Sequence, residues 1–240
     1  MDLEFLKSTL FLLLGGVPLT LNLTFVAIIS GAAIAAVFAS IRVAQVPMLS
    51  LAVRLYVFVI RGTPLLIQIF LIYYGLGQFR PTLQQWGLWG FFREPYWCAL
   101  LALTLNTAAY GSEIIRGGLQ SVPLQQIEAA RAYGMSGFLL ATRITFPIAL
   151  RQALPAYGNE IIIMLKATSL TSIITMMEVT GIAAKIISET FRTVEVFVAA
   201  GAIYLALNFV ITRFVAALEW ALSPHLRAST RQDSVVISRA

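Results

Sequence analysis

The chain has 240 residues, is 59% hydrophobic and 12% charged, and has a mean hydropathy of +0.84. A soluble domain is nearer about 45–50% apolar and about 25% charged, so disorder, a fibre and an ordinary soluble domain are excluded, and continuous apolar runs argue against the alternating strands of a membrane barrel. The net charge of +6 comes without a basic run interleaved with aromatics, so it reads as the arginine excess of a cytoplasmic membrane face, and no nucleic-acid partner is expected.

What remains is an all-α integral membrane protein, a single transmembrane domain over 1–240. Cys98 and His225 each stand alone. No intrachain disulfide and no metal site is therefore expected. The N-terminus opens Met1-Asp2-Leu3-Glu4, acidic where a signal peptide is basic, and the apolar stretch behind it is too long for a signal core.

Five spans are predicted at about 20 apolar residues each. The first covers Leu19 to Ile41 and carries Gly31, Ala35 and Ala39 at four-residue spacing, a small-residue face for close helix contact. The second covers Val57 to Leu76. Gly62 and Pro64 inside it predict a kink or a broken turn, because proline frees a backbone carbonyl. Arg61, just ahead of the break, either satisfies those carbonyls with its five donors or contacts a substrate carboxylate. The third span covers Tyr96 to Ile115. Near its end Glu113 and Arg116, three residues apart, can pair on the helix surface or serve an inner gate.

The fourth span covers Ala153 to Met176 and holds Glu160 and Lys166. Charges at membrane depth cost about 2.5–3.5 kcal/mol each on insertion scales and so mark function. The two are six residues apart, about 240° round a helix, and face different directions. Glu160 with Asn159 either meets the cationic group of a basic substrate or pairs with a neighbouring arginine. Lys166 either lines the pathway, snorkels, or pairs with another subunit. The fifth span covers Val196 to Leu218.

Five spans put the ends on opposite sides. With the N-terminus outside, the inner segments hold ten basic residues: Arg42, Arg54, Arg116, Arg131, Arg143, Arg151, Arg213, Arg227, Arg231 and Arg239. The outer segments hold five, Lys7, Arg80, Arg93, Lys185 and Arg192. The two-to-one bias predicts an outside N-terminus and an inside C-terminus. The largest inner loop, about 116–152, is patterned. Ser121 is a candidate N-cap with Pro123 in the first turn, and a short helix over Leu124 to Tyr133 ends at Gly134 as a left-handed terminator. A second helical stretch starts at Phe138 and is stopped by Pro147. The loop reads as a docking surface for another protein.

Within it, Glu128-Ala129-Ala130, three residues, Gly134, nine residues, then Ile144-Thr145-Phe146-Pro147 resembles the EAA loop of ABC importer permeases, with Phe146 where that pattern has Leu. The resemblance implies that Glu128, Ala129, Ala130 and Gly134 form a coupling helix held in a cleft of an ATPase. Arg61-Gly62-Thr63-Pro64-Leu65-Leu66-Ile67-Gln68 is similar to a stretch of the polar amino acid importers. So are Ala109-Tyr110, Arg116-Gly117-Gly118, Leu154 to Glu160, and Lys166 to Leu170, although Ala167 stands where that group usually has Asp. Leu103 to Tyr110 and the run Glu128 to Gly134 resemble the M-type permeases of histidine and lysine/arginine/ornithine importers. Val179 to Ala183, Ile187 to Thr190 and Leu222 to Arg227 lean toward the opine branch, octopine and nopaline. The likeness covers about residues 15–220.

It implies the five-helix type I importer permease fold (MetI-like). It implies a homologous second permease of different sequence, two ATPase subunits, and a periplasmic substrate-binding protein in the bacterial inner membrane. The cargo would be a basic amino acid or opine, or another polar amino acid. The three lysines, Lys7, Lys166 and Lys185, never follow a glycine, so no P-loop is present. ATP and magnesium would belong to the partner ATPase, no cofactor to this chain, and no catalytic residue is expected. A stand-alone channel or secondary transporter would leave the EAA loop and the odd span count unexplained. A simple membrane anchor would leave Glu160 and Lys166 without purpose.

Overall fold

The computed structural model describes residues 3–222; Asp2, His225, Arg227, Arg231 and Arg239 lie outside the described residues. Within that range the chain is all-helical. α1 (Leu3–Leu14) turns at Gly15-Gly16 into α2 (Val17–Val43), which Pro18 enters in its first turn, where proline lacks no needed donor. α3 (Pro47–Gly62) and α4 (Leu65–Phe70) follow, the latter running on through a π turn, Leu71–Gly75. Two short helices, α5 (Arg80–Gln85) and α6 (Trp89–Phe92), lead to α7 (Pro95–Gln120).

The loop helix α8 (Leu124–Ala132) and α9 (Gly137–Leu140) precede α10 (Phe146–Ala167). A 3-10 segment, Thr168–Ile174, joins α10 to α11 (Val179–Thr190), and α12 (Thr193–Leu222) closes the described chain.

Three helices are each long and apolar enough to cross a membrane: Leu3–Val43, Pro95–Gln120 and Thr193–Leu222. Two bent pairs pass the same test. Pro47–Gly62 with Leu65–Gly75 bends by 105°, and Gly137–Ile174 with Val179–Thr190 by 46°. Counting each pair once gives up to five candidate spans, the number read from the sequence, with different bounds.

α2 and α7 are the most extensively packed pair and form the centre of the molecule. Their backbones approach because the predicted small face is buried: Ala35 and Ala39 are 0% exposed, and a Cβ added at Gly31 would lie 2.6 Å from the Thr107 side chain. Such close contact suits helices in lipid, where packing rather than hydrophobicity drives association. Tyr96 donates to Asn22 at 2.7 Å and Ser30 bonds Thr104 at 2.8 Å, tying the same two helices along their length.

Three local expectations change. Ser121 does not cap α8; its hydroxyl donates back to the Gly118 carbonyl at 2.8 Å at the end of α7, and Pro123, extended at φ −62°, ψ 131°, occupies the N-cap. Pro147 does not stop the helical stretch from Phe138. A π turn over Ala141–Thr145 widens the helix just before it, and Pro147 falls in the first turn of α10, where its missing N–H is harmless. The second span does not begin at Val57: α3 begins at Pro47 and includes Arg54, and the break falls inside the predicted window, as Gly62 and Pro64 implied.

Candidate functional site: a cavity at the broken helix

The break between α3 and α4 is local in origin. Pro64 excludes the helical conformation from Thr63, which is extended at φ −117°, ψ 143°. The chain then turns, and carbonyls at the end of α3 lose their helical donors. Gln68, one turn into α4 and only 7% exposed, supplies them. Its side-chain amide donates to the Ile60 carbonyl at 2.7 Å, the Thr63 carbonyl at 3.1 Å and the Thr63 hydroxyl oxygen at 3.0 Å. Its own oxygen accepts from Asn106 of α7 at 3.4 Å. The donor that serves the break is therefore Gln68, not Arg61.

Arg61 is thereby left for other work. Its guanidinium lies over the Tyr110 ring, 4.9 Å from the centroid, a cation–π contact from α3 to α7. Arg61 and Tyr110 line a cavity of about 560 Å³ with Gly62, Thr63, Pro64 and Asn106 on one side and Glu160, Met164, Ala167 and Leu170 on the other. The volume falls within the about 300–1,000 Å³ range of small-molecule sites. Glu160 is 4% exposed, and among the described residues it carries no hydrogen bond or ion pair. A cationic and an anionic side chain thus face one cavity without neutralising each other directly.

Of the predicted pathway residues, the structure brings Arg61 and Glu160 together. Asn159 and Lys166 are exposed on other faces of α10 and do not line the cavity. Sequence reasoning does not single out Gln68, Asn106 or Tyr110 for the site. A glutamine four residues after a proline in an apolar run, and an asparagine at membrane depth, are the available signals. Among the described residues no group of three or more His, Cys, Asp or Glu is placed to hold a metal ion.

At the other end of α7, Glu113 accepts from Arg116 at 3.1 Å (Nε) and 2.7 Å (Nη2). Glu113 also pairs with Arg42 in the last turn of α2, and Arg116 reaches Gln120. The i,i+3 pair is thus one half of a cluster that joins α2 to α7.

The loop helix α8 ends in a Schellman motif. Gly134 is left-handed at φ +80°, its amide donates to Arg131 O at 2.9 Å, and Met135 N donates to Ala130 O at 3.0 Å. Glu128 and Ala129 are exposed, whereas Ala130 is buried against the chain's own loop. Leu124, Tyr133 and Phe138 are 70%, 88% and 84% exposed, a set of large apolar side chains around the same helix.

Comparison with known proteins gives the family of the chain. The family described as "Binding-protein-dependent transport system inner membrane component" matches residues 28–223. The chain is 56% identical over 228 residues to the nopaline transport system permease protein NocM of Agrobacterium fabrum, covering 95% of each. It is 56% identical over 230 residues to the octopine transport system permease protein OccM of Rhizobium meliloti, covering 96% of this chain and 94% of that one. A crystal structure of an amino acid ABC transporter with histidines superposes with a TM-score of 0.80 at 33% identity, covering 91% of this chain and 98% of that one.

Proposed function

We propose a function from one premise: this chain belongs to the family of binding-protein-dependent transport system inner membrane components. It is a transmembrane permease subunit of an ABC importer, and its cargo is an opine or a basic amino acid. The observation that carries the cargo assignment is the pairing of Arg61 and Glu160 in one cavity without a bond between them. Cargo of this class presents both a carboxylate and a cationic group. Arg61 suits the carboxylate, Glu160 the cation, and Asn106 and Tyr110 supply further polar contact between them. The high identity to nopaline and octopine permeases supports the same choice.

Transport needs energy that this chain does not supply. We assign it to a pair of ATPase subunits using ATP and magnesium. They engage the exposed face of α8, with Glu128 and Ala129 in the contact, Ala130 and Gly134 shaping the helix, and Leu124, Tyr133 and Phe138 around it. A homologous second permease completes the pathway, and a periplasmic binding protein delivers the cargo. The chain sits in the inner membrane with its N-terminus in the periplasm and C-terminus in the cytoplasm, the orientation that the arginine bias favours. The Arg42–Glu113–Arg116 cluster holds α2 against α7 near the inner face.

The test is to purify the importer through this chain from its native membrane, reconstitute it, and measure ATP-dependent uptake of arginine, octopine and nopaline. Uptake of at least one, with a second permease and an ATPase retained, is expected. Retention of neither subunit, or uptake of none of the three, would overturn the reading.

A further inference from the structure

Outside the cavity the chain buries a second carboxylate. Glu178 is 0% exposed. It stands at the N-cap of α11, where one side-chain oxygen accepts from Gly181 N at 2.8 Å. Its other oxygen accepts from the Tyr204 hydroxyl of α12 at 2.6 Å, which also lies 3.1 Å from the Thr180 hydroxyl. Next to it, Val179 N donates to Thr20 Oγ1 of α2 at 3.4 Å. A helix cap by itself asks only for a short polar side chain. A fully buried carboxylate is far more costly unless every oxygen is bonded. The second oxygen, spent on Tyr204, points to a task other than capping.

That task is legible in what lies between the bonded elements. The segment Thr168–Met177 runs from the end of α10 to Glu178. Its near end forms part of the cavity wall through Leu170, next to Ala167 of α10. Thr168 is 0% exposed, and its hydroxyl donates to Leu165 O at 2.7 Å. At its far end, after a left-handed Thr175 at φ +67°, the Met176 carbonyl packs so tightly on Gly181 that an added Cβ would lie 2.0 Å away. The segment is thus bonded back to α10 at its start, and at its end it packs on Gly181, whose amide donates to the same Glu178 carboxylate that Tyr204 of α12 bonds.

We propose that Glu178 is a positioning residue for the transport cavity, acting with Tyr204 to fix the segment that presents Leu170 to the cargo. The inference rests on the functional reading above. Glu178 touches no cargo itself. Glutamine can replace it in the network: its oxygen accepts from Gly181 N, its amide donates to the Tyr204 oxygen, and the Tyr204 hydroxyl turns to Thr180. Tyr204→Phe keeps the ring packed on its neighbours but leaves one carboxylate oxygen unbonded.

The experiment measures uptake kinetics of arginine, octopine and nopaline by the reconstituted importer carrying Tyr204→Phe or Glu178→Gln, with subunit content and melting temperature of each complex. Tyr204→Phe is expected to raise KM about tenfold with Vmax within about twofold. Glu178→Gln is expected to leave KM within about twofold of wild type. An unchanged KM in Tyr204→Phe, or a fall in Vmax alone, would overturn the proposal. So would failure of Tyr204→Phe to assemble, which would make the network purely architectural. A wild-type importer that transports none of the three probes fails at the functional reading itself, a result separate from any effect of the variants.

Discussion

Replacing Gln68 with leucine removes the donor that closes the break between α3 and α4. The change preserves approximate size and apolar packing, so its cost comes from hydrogen bonding. The Ile60 carbonyl loses a 2.7 Å bond and the Thr63 carbonyl a 3.1 Å bond. Side-chain hydrogen bonds in membrane helices average about 0.6 kcal/mol and reach about 1.7, whereas stranding a buried acceptor costs about 1–3 kcal/mol. Ile60 is half-buried, so its lost bond counts nearly in full; Thr63 is exposed and counts for less. The Asn106 bond at 3.4 Å is long and adds little. The sum is about 2 kcal/mol, a shift of roughly 30-fold in the unfolding equilibrium. Arg61→Leu should cost under about 1 kcal/mol, because it loses one cation–π contact and no carbonyl partner. The assay is reversible unfolding of the detergent-solubilised chain by a denaturing detergent. If Gln68→Leu is as stable as wild type while Arg61→Leu loses about 2 kcal/mol, the guanidinium closes the break and Gln68 does not.

Three further outcomes are expected. Glu160→Gln should lower uptake of cationic cargo tenfold or more without preventing assembly, since a hydrogen bond to a charged group contributes about 1.5–3 kcal/mol; full uptake by an assembled variant rules the role out. A Cβ added at Gly134 meets no atom within 4 Å, so the effect of Gly134→Val is dominated by the roughly 1–2 kcal/mol cost of a left-handed non-glycine residue. It and Ala129→Asp should reduce ATPase retention in a pull-down and stop uptake, with Glu128→Gln doing less; normal retention and transport in Gly134→Val would remove the loop as coupling element. A tag on the N-terminus should be reached by protease from the periplasmic side of oriented vesicles, and a cytoplasmic tag would sink the five-span topology.

What the residues alone determined is what short-range chemistry controls. Composition decides for membrane over water, and apolar length sets where helices can cross. The break at Pro64 follows from a clash between neighbouring residues, and the end of α8 from the freedom of Gly134 to reach φ +80°. The small face of α2 was legible because four-residue spacing is itself a statement about one side of a helix. The break and the cap each need no more than about one turn of chain, and the others need only counting along it. Pro147 marks the edge of that reach: a local rule reads it as a stop, yet one widened turn absorbs the proline and the helix continues.

What only the tertiary structure decided is which distant partner each polar group finds. Gln68 and Asn106 are 38 positions apart, Glu178 and Tyr204 26, and Val179 and Thr20 159. No periodicity carries that information. It arises because helices in lipid must satisfy their buried polar groups internally, and the partner is whichever side chain the packing brings within reach. For the same reason Arg61, a natural candidate to close the break, faces the cavity instead. Gln68 reaches the freed carbonyls from the next turn and leaves the guanidinium over Tyr110, beside the same cavity as Glu160.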